Sequence, residues 1–214
     1  MLSRLVFVFL FGSIVCNLKA SHGPWHEVAH KNGITVFTRE NSLSNIKEVK
    51  VVSVFKTTLS TLVSLIENTQ DQTSWAYNVF YAKKIKQYNN FHWLAYTVAD
   101  APWPIADRDN VTDVVLSQRP DSSVIIFSKS VEGVVPENSK YVRVPLIRAT
   151  WVFKPLAEGR IKASFQILVE LGGNIPEWIV NMFIENGPYQ TLLHLREEAV
   201  KNKGMFKSLP YIKE

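Results

Sequence analysis

Apolar and polar residues alternate along most of the chain between positions 33 and 171. A period of two is typical of strands that bury one face and expose the other. Short polar connections such as Asn89-Asn90 join several of these runs, which predicts antiparallel neighbours. The pattern predicts about eight strands, at residues 33–39, 46–56, 79–88, 91–99, 111–117, 123–130, 145–154 and 160–171.

The last two predicted strands indicate which face of the sheet is apolar and buried. On one face, large aromatic residues such as Trp151 and Phe165 stand among small ones such as Ala149 and Ala163. The opposite face carries lysine, arginine, serine and glutamine. A strongly curved sheet with such an uneven apolar surface encloses either a filled core or a cavity, and the sequence leaves both alternatives open.

Two segments change to the helical period. Residues 57–68 predict one helix, which Thr57 or Thr58 can cap. Residues 172–200 predict a longer one that begins near Pro176 and is bent or interrupted at Gly187-Pro188. Its apolar stripe is predicted to cover the concave face of the sheet. The stripe comprises Ile175, Trp178, Ile179, Met182, Phe183, Leu192, Leu195 and Ala199.

The N-terminal segment is typical of a secretory signal peptide. Arg4 supplies a positive charge, residues 5–15 are almost entirely apolar, and Ala20 offers a small residue for cleavage. An uncleaved membrane anchor is the alternative, although the apolar run is short for a membrane span. We predict a signal peptide at 1–20, a domain at 21–210, and export to a periplasm or secretion from the cell.

Composition narrows the possible functions. The 214 residues are 46% hydrophobic and 20% charged, which is typical of one globular domain. The single cysteine, Cys16, lies in the predicted signal peptide, so the processed chain would have no thiol for a disulfide, a nucleophile or a zinc site. Without Arg4 and Lys19, 22 basic residues remain against 19 acidic ones, a net charge of +3 with no basic run. This argues against nucleic-acid binding and leaves a weak attraction to anionic membranes open.

His22, His26 and His30 are spaced by four residues. On a helix they would share a face that can ligate a metal. No acidic residue or cysteine stands at ligand spacing, and segments beside a cleavage site are often loosely ordered. We therefore favour a loosely ordered segment without a metal.

The stretch Ala101 to Asp109 contains an arginine, Arg108, between two carboxylates and after two prolines. A guanidinium can bind a carboxylate or a phosphate through two parallel hydrogen bonds. Two roles follow for Arg108. It can tie this loop to the sheet, which is the favoured interpretation, or it can contact a ligand directly.

Three motifs carry a resemblance to a known family. PWPIADRD at 102–109, WVFKP at 151–155 and GGNIPEWIVN at 172–181 stand in this order. With them, residues 25 to 200 resemble a START domain, the lipid-transfer module related to the steroidogenic acute regulatory protein. The resemblance implies an α+β helix-grip fold, in which a curved antiparallel sheet wraps a long C-terminal helix and encloses a hydrophobic tunnel for one lipid or sterol. It implies a lipid-binding or lipid-transfer protein that is not an enzyme and needs no cofactor, and with the predicted signal peptide we expect this protein to be exported. We also expect a monomer that contacts membranes transiently.

The resemblance also implies which residues face the tunnel. Ordinary core packing is the alternative for two of them, Trp75 and Tyr96. The expected lipid-binding set is Trp75, Tyr96, Arg108, Trp151, Phe165, Ile179, Met182, Phe183 and Asn186.

Two other functions stay open at this point. A helix-grip enzyme of the cyclase or hydrolase type would need an acid and a base in the cavity, and His92, His194 and Glu170 are the candidates. The sequence contains no G-x-S-x-G, H-E-x-x-H or G-x-G-x-x-G motif. The last alternative is an interaction domain with a filled core.

Overall fold

The computed structural model describes residues 23–176, 180, 184, 186–202 and 204–214. The predicted signal peptide at 1–20 lies outside these residues. So do His22 and three members of the expected lipid-binding set, Ile179, Met182 and Phe183.

The described chain forms one sheet and three α-helices. The strands are β1 His26–Lys31, β2 Ile34–Arg39, β3 Glu48–Lys56, β4 Val79–Asn89, β5 His92–Ala99, β6 Arg108–Gln118, β7 Val124–Ser130, β8 Val142–Arg143, β9 Leu146–Leu156 and β10 Arg160–Glu170. The helices are α1 Leu59–Glu67, α2 Gln72–Trp75 and α3 Gly187–Lys201, and single 3₁₀ turns lie at Thr69–Asp71 and Ala157–Gly159.

The sheet has the order β1-β2-β3-β10-β9-β7-β6-β5-β4, and every pair along this path is antiparallel. The short β8 pairs with β6 in parallel at Arg108 and Asp109. This is the predicted antiparallel sheet, with ten described strands instead of about eight. Because β3 pairs with β10, the first three strands of the chain lie beside the last strand in the sheet.

The additional strand β1 corrects the expectation of a loosely ordered segment at its position. All six of its residues are exposed, so the strand shows no buried face that alternation could reveal. A two-residue turn at Asn32-Gly33 joins it to β2, and both turn residues have positive φ, at 52° and 68°. His26 and His30 therefore lie on an edge strand, and His30 Nδ1 is 2.9 Å from Thr35 Oγ1.

Helix α1 confirms the predicted helix at 57–68 and is capped from two parts of the chain. The Thr58 hydroxyl accepts a hydrogen bond from the amide of Thr61 at 3.1 Å. The Glu214 carboxylate accepts from the amides of Leu59 and Ser60 at 2.8 and 2.9 Å. A negative charge at a helix N-terminus is favourable, so the last residue of the chain stabilises the start of α1.

Helix α3 packs against β3 and α2 through its apolar stripe. Leu192, Leu195 and Ala199 are fully buried, as the helical spacing predicts. Pro188 lies in the first turn of α3, where its missing amide would have no helical partner. Helix α3 thus begins at the predicted Gly187-Pro188 interruption.

One row of side chains across the sheet is completely filled. Paired positions on five strands, Val124, Phe153, Ala163, Ser53 and Ile34, have 0 to 2% exposure. Small Ala163 stands beside large Phe153, so this end of the concave face is a close-packed core. Within the described chain, no helix combines the length and the apolar character needed to cross a membrane.

We expect Leu195→Ala to lower the free energy of unfolding by about 2–5 kcal/mol, because it leaves a cavity in this core. Val200→Ala on the same helix is the matched control, since Val200 is 53% exposed and should change stability by less than about 0.5 kcal/mol. Urea unfolding followed by circular dichroism measures both. Equal effects of the two substitutions would contradict the placement of α3.

Candidate functional site

A cavity of about 240 Å³ lies between the concave face of the sheet, α2 and the start of α3. Its floor includes one further row of paired positions, in which each strand contributes one residue. This row is Trp93, Val114, Ser128, Ala149, Ile167 and Val49. Ala149 and Ser128 are small, so this row leaves space, whereas the row through Phe153 and Ala163 is filled.

Aromatic rings form one wall of the cavity. Trp151 and Phe165 are cross-strand partners whose rings stack with centroids 4.1 Å apart and an interplanar angle of 15°. Trp75, at the end of α2, meets Trp151 edge to face at 6.0 Å. All three residues belong to the expected lipid-binding set, and all three line the cavity.

Strand alternation in β6 turns Arg108, Asn110 and Thr112 toward the cavity. Arg108 is only 6% exposed. Its guanidinium donates from Nη1 to the carbonyl of Ala106 and from Nη2 to the carbonyl of Gly172 at 3.4 Å. Burial lowers the pKa of Arg108, and the nearby Asp107 carboxylate raises it in opposition. Arg108 thus ties the loop to the sheet, as the favoured interpretation predicted, and also reaches the cavity wall.

The two carboxylates that flank Arg108 in sequence bind other groups. Asp109 faces the opposite side of the sheet, where it accepts hydrogen bonds from Arg143 at 2.8 and 2.9 Å and from the Tyr96 hydroxyl at 3.0 Å. Asp107 accepts from the amide of Ala101 at 3.1 Å. Among the residues that the structure describes, no carboxylate forms an ion pair with Arg108.

The Asp109 network fixes the charge states of its members. Burial raises the pKa of Asp109, but the hydrogen bonds and the charge of Arg143, with the Tyr96 hydrogen bond, bring it below its ordinary value. Burial and the bond to Asp109 raise the pKa of Tyr96 to about 12. The network therefore stays a carboxylate bound by a neutral phenol and a cation near neutral pH.

Two expected site residues do not line the cavity. Tyr96 lies between Ala95 and Thr97 on β5, so alternation directs it to the outer face and toward Asp109. Asn186 is exposed and directly precedes α3. Ile184, Gly187 and Pro188 around it do line the cavity.

Sequence reasoning missed several lining residues, of which Trp93 is the largest. Alternation with Ala95 could have identified it, because both are apolar and occupy one face of β5. The indole Nε1 of Trp93 and that of Trp75 are buried without a hydrogen-bond partner among the described residues. Both residues line the cavity.

The three candidates for acid–base catalysis lie away from the cavity wall. His92 contacts Asp113 at 2.6 Å and stacks on Tyr88, whose ring centroid is 4.4 Å away. His194 lines a surface groove with Asp100 and Asp107 that adjoins the cavity at Ala76, Tyr77 and Val79. Neither His194 nor Glu170 lines the cavity itself. Among the described lining residues there is no aspartate, glutamate or histidine.

Comparison with known proteins places this geometry in a family. The model of the START domain matches residues 14–203. The chain belongs to the START domain family. A curated relative, the uncharacterized protein PA1579 of Pseudomonas aeruginosa, is 29% identical over 177 residues, which cover 83% of this chain and 87% of the relative.

Solved structures of START proteins share the fold. A STAR-related lipid transfer protein fragment from Xanthomonas axonopodis has a TM-score of 0.76 at 23% identity, covering 82% of this chain and 98% of the fragment. Human StAR-related lipid transfer protein 5 has a TM-score of 0.76 at 17% identity, covering 83% of this chain and 86% of the human chain. The chain therefore has the helix-grip fold that the three sequence motifs implied.

We expect Asp109→Asn to lower the free energy of unfolding at pH 7 by about 3 kcal/mol, because it leaves Arg143 without a counter-ion. The pKa of Asp109 is depressed in the folded state, so its contribution is present above the unfolded value of about 4 and is lost as pH falls through the folded value. The difference between wild type and variant should therefore narrow below about pH 4.

Urea unfolding at a series of pH values measures this difference. Asp100→Asn is the control, since Asp100 is exposed at the end of β5 and should have little effect. A difference that stayed constant between pH 7 and pH 3 would contradict the assigned role of Asp109.

Proposed function

We propose that the protein binds one lipid or sterol in the cavity and transfers it between membranes. The observation that carries this proposal is the cavity itself, which lies under α3 in a START fold and has walls of stacked aromatic rings. The names of the solved relatives as lipid transfer proteins support it. Burial of apolar ligand surface would supply most of the affinity, at about 25 cal/mol per Å² before the costs of association.

Binding is favoured over catalysis on chemical grounds. Reactions of the cyclase or hydrolase type need a group that can give or take a proton beside the substrate. The described cavity wall contains no aspartate, glutamate or histidine, and its polar side chains, which include Lys47 and Tyr77, can donate hydrogen bonds and orient a ligand. We therefore infer that the protein is not an enzyme and acts as a monomeric lipid carrier without a cofactor.

Export is part of this proposal. The charged Arg4, the apolar residues 5–15 and Ala20 support cleavage of a signal peptide at 1–20. The carrier would then work in a periplasm or outside the cell.

A loop beside the Arg108 end of the cavity is suited to membrane contact. The side chain of Trp103 is 91% exposed in the connection between β5 and β6, and Pro102 and Pro104 flank it. An exposed tryptophan favours the membrane–water interface, because its ring is apolar and its indole N–H is polar. Contact through this loop would bring the cavity close to the bilayer during exchange.

We expect Ala149→Phe to abolish lipid binding, because the added ring would occupy the centre of the cavity floor. Stability should change little, since the ring enters an existing space and causes no overpacking of the kind that costs about 1–3 kcal/mol in a filled core. The control is Arg148→Phe, which adds the same ring on the exposed face of β9.

Native mass spectrometry of protein purified from a lipid-containing host, without detergent, measures the outcome. Wild type and Arg148→Phe should carry a stoichiometric lipid adduct that Ala149→Phe lacks. A wild-type protein that carries no lipid and binds none from a broad panel would refute the proposed function.

We expect Trp103→Ala to reduce transfer of a fluorescent lipid between vesicles by about 10-fold, the equivalent of about 1.4 kcal/mol of membrane affinity. Binding of the lipid to the soluble protein should not change, since Trp103 does not line the cavity. Tyr88→Ala is the control, because Tyr88 is 47% exposed at the opposite end of the β4–β5 pair. Equal transfer by Trp103→Ala and wild type would refute membrane contact through this loop.

A further inference from the structure

We propose that the lipid carries an oxyanion, either a carboxylate or a phosphate, and that Arg108 binds this group inside the cavity. The inference rests on the proposed lipid binding and deepens it by naming the ligand's polar group. It assigns Arg108 a ligand in addition to its contacts with the loop.

The positive charge of Arg108 is buried without an ion pair to a described residue. Arginine keeps its proton in proteins, so the guanidinium of Arg108 is a cation with only 6% exposure. Both of its acceptors, the carbonyls of Ala106 and Gly172, are neutral. A buried charge is costly without a counter-ion, and no described carboxylate forms an ion pair with Arg108, although Asp107 is near enough to raise its pKa. An oxyanion in the cavity would supply it.

One hydrogen-bond donor of Arg108 has no partner among the described residues. The Nε–H of Arg108 is buried and has no hydrogen-bond partner among the described residues. Buried donors are nearly always paired, and an unpaired one commonly marks the place of a missing partner. The planar guanidinium presents its donors in a fixed fork, which matches the oxygens of a carboxylate or a phosphate.

The acidic groups nearest in sequence have other hydrogen-bond partners. The Asp107 carboxylate accepts from the amide of Ala101, and Asp109 lies on the outer face with Arg143 and Tyr96. The neighbouring lining residue Asn110 donates from its amide to the Thr97 hydroxyl at 2.6 Å. The described surroundings of Arg108 thus give it no ion pair, and an oxyanion in the cavity would form one.

Arg108 lies at one end of the apolar cavity floor. Arg108 pairs with Ala99 on β5, and Trp93 lies six residues earlier on the same strand, in the apolar row across the floor. Six residues of a strand span about 20 Å. A lipid with its oxyanion at Arg108 would therefore extend its hydrocarbon part over this row toward the Trp151–Phe165 pair. A free anion would fill only one end.

The first test compares acidic lipids with neutral analogues on the wild-type protein after delipidation. The probes are palmitate against its methyl ester, and phosphatidic acid against diacylglycerol with the same acyl chains. Quenching of the tryptophans in the cavity wall reports binding. We expect one acidic lipid to bind about 10- to 100-fold more tightly than its neutral analogue, as hydrogen bonds to a charged partner allow. The pair that shows the preference distinguishes a carboxylate from a phosphate.

The second test assigns the preference to Arg108. In Arg108→Met the ratio of the two dissociation constants should fall to about one, with the neutral analogue bound as before, and Arg108→Lys should keep part of the preference. Lys47→Met is the matched control, because Lys47 is the other cation among the described lining residues and pairs with Glu40 at 3.6 Å. It should keep the full preference.

Each outcome decides the inference. Equal affinities for acidic and neutral lipids on wild type would overturn it, as would a preference that Arg108→Met retains or that Lys47→Met abolishes. If Arg108→Met does not fold, the wild-type ratio and Arg108→Lys decide. Acetate and inorganic phosphate alone should not compete at millimolar concentration; if they do, the site holds a free anion and the lipid assignment is wrong.

These results also separate the inference from the proposed function. If neutral lipids bind as tightly as acidic ones, the proposed lipid binding is supported and the proposed role of Arg108 is refuted. If no lipid of either kind binds, the proposed function itself falls.

Discussion

The structure depends on how the concave face of one wide sheet is covered. Helix α3 buries Leu192, Leu195 and Ala199 on that face, and at this end the side chains fill the space between helix and sheet. Further along the strands, the row through Ala149 and Ser128 is too small to fill it. The same helix and sheet therefore enclose a filled core at one end and a cavity at the other. The stability of the core keeps the cavity walls in place.

The alternation of a strand separates two charges that are adjacent in sequence. Arg108 and Asp109 begin β6, and consecutive side chains point to opposite faces. Asp109 thereby reaches Arg143 and Tyr96 on the outside, while Arg108 enters the cavity wall. Consecutive side chains of a strand point apart, so they cannot form an ion pair with each other. Arg108 therefore lies on the inner face without a direct contact to Asp109.

This separation links stability to recognition. The ion pair of Asp109 with Arg143 joins β6 to the segment that contains β8. At the same end of the sheet, the carbonyl of Gly172 accepts a hydrogen bond from Arg108. Gly172 has a φ of +71°, and a Cβ there would lie 3.0 Å from Pro145, so glycine allows this close approach. The carbonyls of Ala106 and Gly172 therefore hold Arg108 in the cavity wall, and the cavity combines an apolar floor with a charged end.

The sequence by itself determined the strands with a buried face, the helix at 57–68 with its threonine cap, the stripe of α3 and, through three motifs, the family. These features depend on local periodicity and on residues close together in the chain. Strand β1 has no buried face, and only the Asn32-Gly33 turn signalled it. The tertiary structure alone decided that the concave face contains a cavity, that Tyr96 and Arg143 both reach Asp109, and that Arg108 forms no ion pair with a described carboxylate. These outcomes depend on which residues distant strands place side by side, and periodicity along one chain does not contain that information.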